Sequence, residues 1–480
     1  MVLKTKSKES CIQTIKGNKI RWIDLQFTDI DSRFHHVTVP ARTVNDSFFD
    51  EGIGKLDGSS IKGLKPIFDS DMVLKPVISS FSILPWYDGD DKTARFICTI
   101  FDNGHRYPHD TRFIAEKSEN HATELGYTKT YWGPELEFFV FNKLSLEPSP
   151  QIALTSGALY GVSIKSDEAP WNDSDPYWFN KTREGYYVAP PADTLVDYRN
   201  RVSRIIEDSF DIEIEAHHHE VAAAGQCEIN IKYDTLTTQA DNVVTIKYVS
   251  RIVANSMNKI VTYMPKPIFG DNASGMHIHQ SLWKDDKNIF YDPKDAYSQI
   301  SQECRYYIGG LMSHASALCA FTNPTTNSYR RLIPGYEAPI FIAWSKGNRS
   351  ANIRIPRYVK NSEVATRIEY RTPDPSANIY LAEASILMAG LDGIKHKIEP
   401  PMNIDEDIYK IDVDKRKKLN IMELPKSLRE SIESLDSDNE FLKPVFDNSF
   451  INFYKEIKIK EDIENSIRPT PYEFYQYMDI

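Results

Sequence analysis

Four short segments of the chain place polar side chains two residues apart, with Leu136, Ile229, Ile278 or Ile368 between the first two. On a β-strand, residues i and i+2 point to the same face, so each segment projects carboxylates, imidazoles or guanidiniums to one side. Several such strands side by side predict a polar, acid-rich wall of the kind that holds paired metal ions in an active site. The segments are Glu135-Leu-Glu137, Glu228-Ile-Asn230, His277-Ile-His279-Gln-Ser281 and Arg367-Ile-Glu369-Tyr-Arg371.

The carboxylates of this set indicate a hard divalent cation. Glu135 and Glu137 lie in a strongly apolar run, which predicts a buried strand rather than a solvated sheet face. A buried carboxylate needs a cation or a hydrogen-bonding partner. Glu220 and Glu228 add further oxygen ligands, which favour Mg²⁺ or Mn²⁺. The triple histidine at 217–219 is less typical of zinc, because consecutive side chains diverge and no CxxC or HExxH accompanies them.

Histidines and arginines complete a set of residues suited to phosphoryl transfer. His277 and His279 share one strand face, where one could bind a metal and the other a nucleotide. Guanidiniums hold phosphates and carboxylates through paired hydrogen bonds, although a salt-bridged surface would explain the same cluster. Glutamates for two metals and arginines for anions neutralise charge in phosphoryl transfer. The arginines are Arg330, Arg331, Arg349, Arg354, Arg357, Arg367 and Arg371.

Composition and charge exclude several classes of protein. The 480 residues exceed what one hydrophobic core usually serves, so two domains are expected. The net charge of −11, from 57 basic and 68 acidic residues, argues against a general nucleic-acid binder. No apolar run predicts a membrane span, and the polar N-terminus does not resemble a secretory signal. The five cysteines are scattered without a CxxC pair, which predicts free thiols in a reducing cytoplasm.

The order of predicted elements divides the chain into a short tail and two domains. We expect a flexible tail over 1–15, a β-rich domain over 16–110 and a large domain over 111–480. The small domain opens with a predicted hairpin over 20–39 and includes another strand over 94–101.

The large domain is expected to be α+β with an antiparallel sheet, because its strands and helices do not alternate strictly. A strand is predicted over 131–141, and the Ser-, Pro- and Asp-rich stretch 144–186 is predicted to be a surface insertion. Helices are predicted over 110–125, 193–210, 239–262, 301–321 and 377–394.

Eight motifs, some of which include the segments above, carry a family resemblance along nearly the whole chain. They are Leu56-Asp-Gly-Ser-Ser60, Gly133-Pro-Glu-Leu-Glu-Phe-Phe139, His217-His-His-Glu-Val221 through Ala224-Gly-Gln226, Met264-Pro-Lys-Pro267, Asn272-Ala-Ser-Gly-Met-His277, the 323–339 run ending in Pro334-Gly-Tyr-Glu-Ala-Pro339, Asn348-Arg-Ser350 and Arg367-Ile-Glu-Tyr-Arg371. The chain resembles the glutamine synthetase family, type I, of the prokaryotic and archaeal kind. The resemblance implies an N-terminal β-grasp domain, a C-terminal catalytic domain and a cytoplasmic dodecamer of two stacked hexameric rings. It places each active site between neighbouring subunits.

The resemblance also implies a reaction and its ligands. ATP phosphorylates the γ-carboxylate of L-glutamate, and ammonia then displaces phosphate to give L-glutamine, with two or more Mg²⁺ or Mn²⁺ ions per site. One ion would be held by Glu137, Glu220 and Glu228, and another by Glu135, His277 and Glu369. ATP would contact Glu215, His279, Ser281, Arg349 and Arg354.

Glutamate and ammonium have their own implied residues. Arg349 would stabilise the transferring phosphoryl group, and Glu337 would lie in the flap that closes over the intermediate. Asp57, with Ser60 beside it, would come from the neighbouring subunit, bind ammonium and take its proton. Glutamate would be held by Asn272, the backbone at Ala273, Arg331, Glu337 and Arg371.

Two site positions depart from the family pattern, and two other functions remain open. Ala273 stands where many members have Gly, and Val364 where many have an ATP-contacting Lys, a contact for which Lys360 is the available substitute. Tyr409 is the candidate for the family's adenylylation tyrosine, but its local sequence differs, which argues against that regulation and leaves feedback inhibition or no regulation as the alternatives. A γ-glutamyl ligase for a larger amine is the nearest alternative, and a catalytically silent structural or regulatory homologue is the other.

Overall fold

The chain folds into two domains, each with its own hydrophobic core, in the α+β arrangement that was predicted. The computed structural model describes residues 6–65, 67–147, 161–168, 180–357 and 361–480.

The N-terminal domain is built on a seven-stranded sheet. Its first strand, Trp22–Thr28, pairs antiparallel with Phe34–Pro40, which confirms the predicted hairpin. On its other side the same strand pairs in parallel with Thr93–Asp102. The remaining strands of this sheet are Ile53–Asp57, Asp71–Pro76, Ser82–Ile83 and His105–Arg106.

The predicted flexible tail is wrong where the structure describes it. Lys8–Gly17 forms a helix that begins with a capping box at Ser7, whose hydroxyl accepts a hydrogen bond from the Ser10 amide. Cys11 and Ile15, one helical turn apart, are buried in the core of the small domain. A ten-residue helix with two anchoring side chains has little periodicity to recognise, so tertiary packing decides its formation. Residues 1–5 lie outside the described part of the chain.

The second domain is organised around a ten-stranded sheet, here called the catalytic sheet. Its long strand, Lys129–Phe141, alternates strictly at first, with Trp132 and Leu136 in the main core and the intervening odd residues on the opposite face. From one edge to the other, the main path of the sheet is Ile214–His219, Gln226–Ile231, Lys129–Phe141, Met276–Lys284, Ile368–Tyr370, Ile353–Ile355 and Trp344–Lys346. Neighbouring strands on this path are antiparallel except for the last two, which are parallel.

Short strands and helices complete the described part of the domain. The short strands are Lys143–Glu147, Gly161–Lys165, Asp234–Thr235, Ile260–Thr262, Lys287–Asn288, Phe341–Ile342 and Met422–Glu423. Among the described residues of both domains, the α-helices beyond the first are Asp46–Asp50, Thr111–Glu124, Val196–Phe210, Leu236–Ser256, Gln302–Ser313, Ala315–Thr322, Ser328–Arg331, Ile379–His396, Val413–Lys418, Leu428–Ser437, Asn448–Ser466 and Pro471–Tyr477.

Two of the predicted helices are shorter than expected, each for a local reason. The helix predicted over 239–262 ends at Ser256, and Ile260–Thr262 instead adds a strand to the catalytic sheet. Asn258 turns the chain there with φ +54°, and three β-branched residues follow it. The helix predicted over 301–321 is divided at His314.

His314, which lies between the two parts of the divided helix, pairs with Asp392 of the helix Ile379–His396 and with Asp438 just after the helix Leu428–Ser437. Its Nδ1 lies 2.8 Å from Asp438 and its Nε2 lies 3.1 Å from Asp392. Burial lowers the pKa of His314, but the hydrogen bonds and charges of the two carboxylates outweigh it and raise the pKa to about 9. The folded protein therefore holds this imidazole as a cation at neutral pH.

Replacing His314 with glutamine should reduce stability in a pH-dependent way. Because the pKa of His314 is raised in the folded state, the stabilisation by its charged imidazole is complete below the unfolded pKa of 6.5. It is lost as the pH rises through about 9. At pH 6 the variant should lose about 1–2 kcal/mol more unfolding free energy than it loses at pH 10. This figure is smaller than the pKa shift alone implies, because Asp438 is partly exposed and solvent screens its charge. Urea unfolding at both pH values measures it. H396Q, at an exposed histidine that also contacts Asp392, is the control, and an equal loss at both pH values would contradict the prediction.

Candidate active site

Strand register brings the predicted acidic segments onto one face of the catalytic sheet. Glu137 lies opposite Glu228, and Glu135 lies opposite Asn230, across one pair of strands. On the other side of the long strand, His277 lies opposite Glu135. Antiparallel neighbours directly opposite each other have Cβ atoms about 5 Å apart, so five polar side chains from three strands converge.

Glu369 extends this face towards the arginines. It lies opposite His279 on one side and opposite Arg354 on the other. Its carboxylate accepts hydrogen bonds from Arg354 and, at 2.5 Å, from Arg371. Burial raises the pKa of Glu369, but the Arg371 charge and the nearby histidines outweigh it and lower the pKa to about 2. Glu369 is thus an ionised carboxylate between two buried guanidiniums.

A first group of potential metal ligands lies at one end of this face. Ligand atoms of His218, Glu220 and Glu228 lie within 4.8 Å of one another. Glu137 lies beside them, and its carboxylate accepts a 2.8 Å hydrogen bond from the Gly275 amide. Burial and the Glu228 charge raise the pKa of Glu137 to about 8, and burial with the Glu137 charge raises the pKa of Glu220 well above its ordinary value. Carboxylates that repel one another in this way fit a divalent cation.

A second group lies around Glu135. Ligand atoms of Glu135, His279 and Glu369 lie within 4.8 Å of one another. His277 is close as well, with Nδ1 3.2 Å from Glu135 and 3.8 Å from Glu369. Burial raises the pKa of Glu135, but the His279 charge and both imidazole contacts lower it well below its ordinary value. Carboxylate oxygens with an imidazole are a donor set that Mg²⁺ or Mn²⁺ accepts.

Both predicted metal sets are therefore brought together, and each gains a histidine. The structure adds His218 to the set of Glu137, Glu220 and Glu228. His279, predicted to contact ATP, lies in the second ligand group beside His277.

Two cavities meet at this face. The larger, of about 660 Å³, contains both acidic groups and the arginines at 331, 349, 354 and 371. The smaller, of about 340 Å³, contains Glu215, His279 and Ser281, three of the residues predicted to contact ATP. Glu135 and Asn230 line both cavities, so the second metal group stands at their junction.

Aromatic side chains of the smaller cavity were missed by the sequence reasoning. The Tyr131 ring meets the rings of Tyr233 and Trp283 edge to face, at centroid distances of 5.1 and 5.6 Å. Such faces suit a stacked heterocyclic base. The signal was present, because Tyr131 continues the odd-numbered face of the long strand and Trp283 follows Ser281 by two residues. Val364 also lines this cavity, and Lys360 lies outside the described residues.

The residues predicted to bind glutamate line the larger cavity. Asn272, Ala273, Arg331, Glu337 and Arg371 are all among its walls. Arg331 is fully buried and donates to the Thr372 carbonyl at 2.7 Å. The backbone at Ala273 does not adopt positive φ, so its methyl group is compatible with the conformation of the loop.

Asp57 and Ser60 are not brought to either cavity of the same chain. Both lie in the small domain, and the Ser60 hydroxyl donates to Asp57 at 2.9 Å. Hydrogen bonds from Ser59 and Ser60 lower the pKa of Asp57, so this exposed carboxylate is ionised at neutral pH.

The insertion predicted over 144–186 is tied to the site where the structure describes it. Its buried Glu168 lies 2.8 Å from His219 and accepts a hydrogen bond from Asn180. At the C-terminal end of the insertion, the stacked rings of Tyr186 and Tyr187 cover His218 at the edge of the larger cavity. Residues 148–160 and 169–179 lie outside the described part.

Tyr409, the candidate adenylylation tyrosine of the sequence analysis, lines the larger cavity. Its hydroxyl donates to the Ala338 carbonyl at 2.5 Å, which directs the phenol oxygen towards the flap.

Comparison with known proteins gives one consistent answer. The chain matches the family model for the glutamine synthetase β-grasp domain over residues 19–103 and that for the glutamine synthetase catalytic domain over residues 108–477. It is 49% identical to glutamine synthetase of Sulfolobus acidocaldarius over 99% of both chains. It is 42% identical to that of Escherichia coli (strain K12), over 99% of this chain and 100% of the other.

A solved structure of Plasmodium falciparum glutamine synthetase has a TM-score of 0.87 to this chain at 26% identity, covering 99% of both chains. Among the described residues, no helix combines the length and the apolar character needed to cross a membrane.

Proposed function

This chain belongs to the glutamine synthetase family and is therefore a glutamate–ammonia ligase. From this we propose that its smaller cavity binds the base of ATP and its larger cavity binds glutamate. The observation that carries the proposal is the junction of the two cavities at Glu135. A nucleotide entering from one side and a carboxylate substrate from the other would meet at the two ligand groups.

The residues of the larger cavity have distinct roles in the reaction. Arg331 and Arg371, with Asn272, hold glutamate so that its γ-carboxylate faces the γ-phosphate of ATP. The carboxylate oxygen attacks phosphorus, ADP leaves, and γ-glutamyl phosphate forms. Arg349 and Arg354 neutralise the charge of the phosphoryl oxygens in this step. Ammonia then attacks the acyl carbon, and phosphate leaves with the electrons of the carbon–oxygen bond.

The two acidic groups hold divalent cations. We propose two or more Mg²⁺ or Mn²⁺ ions per site, held by Glu137, Glu220, Glu228 and His218 in one group and by Glu135, His277, His279 and Glu369 in the other. When bound, such ions supply positive charge that offsets the phosphates of ATP.

A second copy of the chain completes the ammonium site. Asp57 is ionised and exposed and lines neither cavity of its own chain, which suits a carboxylate that a neighbouring subunit presents. It would bind ammonium and take its proton, with Ser60 beside it. The proposed assembly is a dodecamer, and its location is the cytoplasm, consistent with five buried free cysteines. A larger amine remains the second candidate substrate.

The deciding experiment is phosphate release from ATP with glutamate and Mg²⁺, with and without ammonium, followed by assay of glutamine. Ammonium-dependent release with one glutamine per phosphate is the expected result. Release that responds only to a diamine or alkylamine would transfer the proposal to the larger-amine ligase. No release with Mg²⁺ or Mn²⁺ would refute it.

A further inference from the structure

The flap that carries Glu337, here defined as residues 333–340, has a strained backbone around one aromatic ring. Gly335 has φ +89° and Glu337 has φ +61°, on either side of Tyr336. The left-handed region is disfavoured for a residue with a side chain, so contacts elsewhere must hold Glu337 in it. Tyr336 is half-buried, whereas Pro334, Gly335 and Glu337 are exposed. The ring is therefore the anchor of the outer part of the flap.

Two cations contact the Tyr336 ring. The ammonium of Lys266 lies 3.9 Å from the ring centroid, and the guanidinium carbon of Arg183 lies 4.2 Å from it. Both distances are within the range in which a cation is attracted by the face of an aromatic ring. The cations come from segments far apart in the chain, and neither belongs to the flap.

Both cations are held by a common support, the buried Asp271. Its carboxylate accepts hydrogen bonds from the backbone amides of Arg183, at 3.1 Å, and Ala223, at 2.8 Å. Its carbonyl accepts a hydrogen bond from the Lys266 ammonium. The backbone of Lys266 is fixed in addition by Asn327, whose amide group accepts from the Lys266 amide at 2.8 Å and donates to the Lys266 carbonyl at 3.1 Å.

We propose that Arg183 and Lys266 are positioning residues, which hold the Tyr336 ring and so keep the flap and Glu337 over the larger cavity during the reaction. The inference rests on the proposed function, because it concerns the lifetime of γ-glutamyl phosphate. A flap that is not held would admit water. Water would then attack the acyl carbon in place of ammonia, returning glutamate and releasing phosphate.

The test measures the ratio of phosphate released to glutamine formed at limiting ammonium, in the full-length protein. The wild type should give a ratio near one. Y336L removes the aromatic face and should raise the ratio about threefold to tenfold. Y336F keeps the face and should restore the wild-type ratio. A Y336L ratio equal to that of the wild type, or a Y336F ratio as high as that of Y336L, would overturn the proposal.

The cations are tested by their own pair of variants. K266M removes the charge and should raise the ratio, whereas K266R keeps a cation and should raise it less. R183Q should raise it too, and R183Q with Y336L should be no worse than Y336L alone. Additive increases in the ratio would show that Arg183 and Tyr336 act separately, contrary to the proposal. If the wild type forms no glutamine from ammonium, the proposed function fails. If the wild type forms glutamine and Y336L keeps the wild-type ratio, only the positioning role of Arg183 and Lys266 fails.

Discussion

Replacing Glu369 with glutamine is expected to lower kcat/KM for glutamine formation about a thousandfold. Glu369 is fully buried, and its carboxylate neutralises Arg354 and Arg371 while facing His277. The amide keeps the size of the side chain but removes the negative charge that contacts Arg354 and Arg371, together with a potential metal ligand. A thousandfold loss corresponds to about 4 kcal/mol of transition-state stabilisation, which we expect because the substitution disturbs two arginines of the larger cavity and a potential metal ligand at once.

Steady-state assays with saturating Mg²⁺ provide the measurement for Glu369. E406Q is the matched control, because Glu406 forms an ion pair with Lys415 in which both side chains are largely exposed, and such pairs contribute little. E369D, which keeps the charge, should retain more activity than E369Q. An E369Q enzyme with more than about a tenth of wild-type activity would contradict the prediction.

Replacing Arg349 with alanine is expected to lower kcat about 10²- to 10³-fold with a smaller effect on the KM for glutamate. Arg349 lines the larger cavity from a loop that Asn348 braces, since the Asn348 amide donates to the carbonyls of Ile404 and Glu406 at 2.9 and 2.8 Å. In the proposed reaction, the Arg349 guanidinium offsets negative charge on the phosphoryl oxygens, and this charge develops fully only in the transition state.

The control for Arg349 comes from the same arginine cluster. Arg357 is exposed and is not among the described residues that line either cavity, so R357A should change kcat little. Single-turnover phosphate release separates the chemical step from product release. Turnover of R349A that equals the wild type would exclude its role in the transition state.

Local pattern was sufficient for part of the site. The two-residue alternation in 135–137 and 277–281 predicted strands with polar side chains on one face, and both strands and faces are as expected. It worked because side-chain direction on a strand depends only on position along that strand. The same rule would have found Tyr131 and Trp283.

Several features depended on contacts between distant segments. The helix at Lys8–Gly17 forms because Cys11 and Ile15 enter the core of the small domain. Arg183 and Lys266 meet at Tyr336 through Asp271, and no spacing in the sequence relates these residues.

By itself, the sequence determined which chemical groups the site contains, which of them share a strand face, and, through its motifs, the family. Tertiary structure decided which strands are neighbours, and therefore that His218 joins Glu220 and Glu228 while His279 joins Glu135 and Glu369. The physical reason is that alternation within a strand is a local property, whereas strand order and register arise from the packing of helices and strands far apart in the chain.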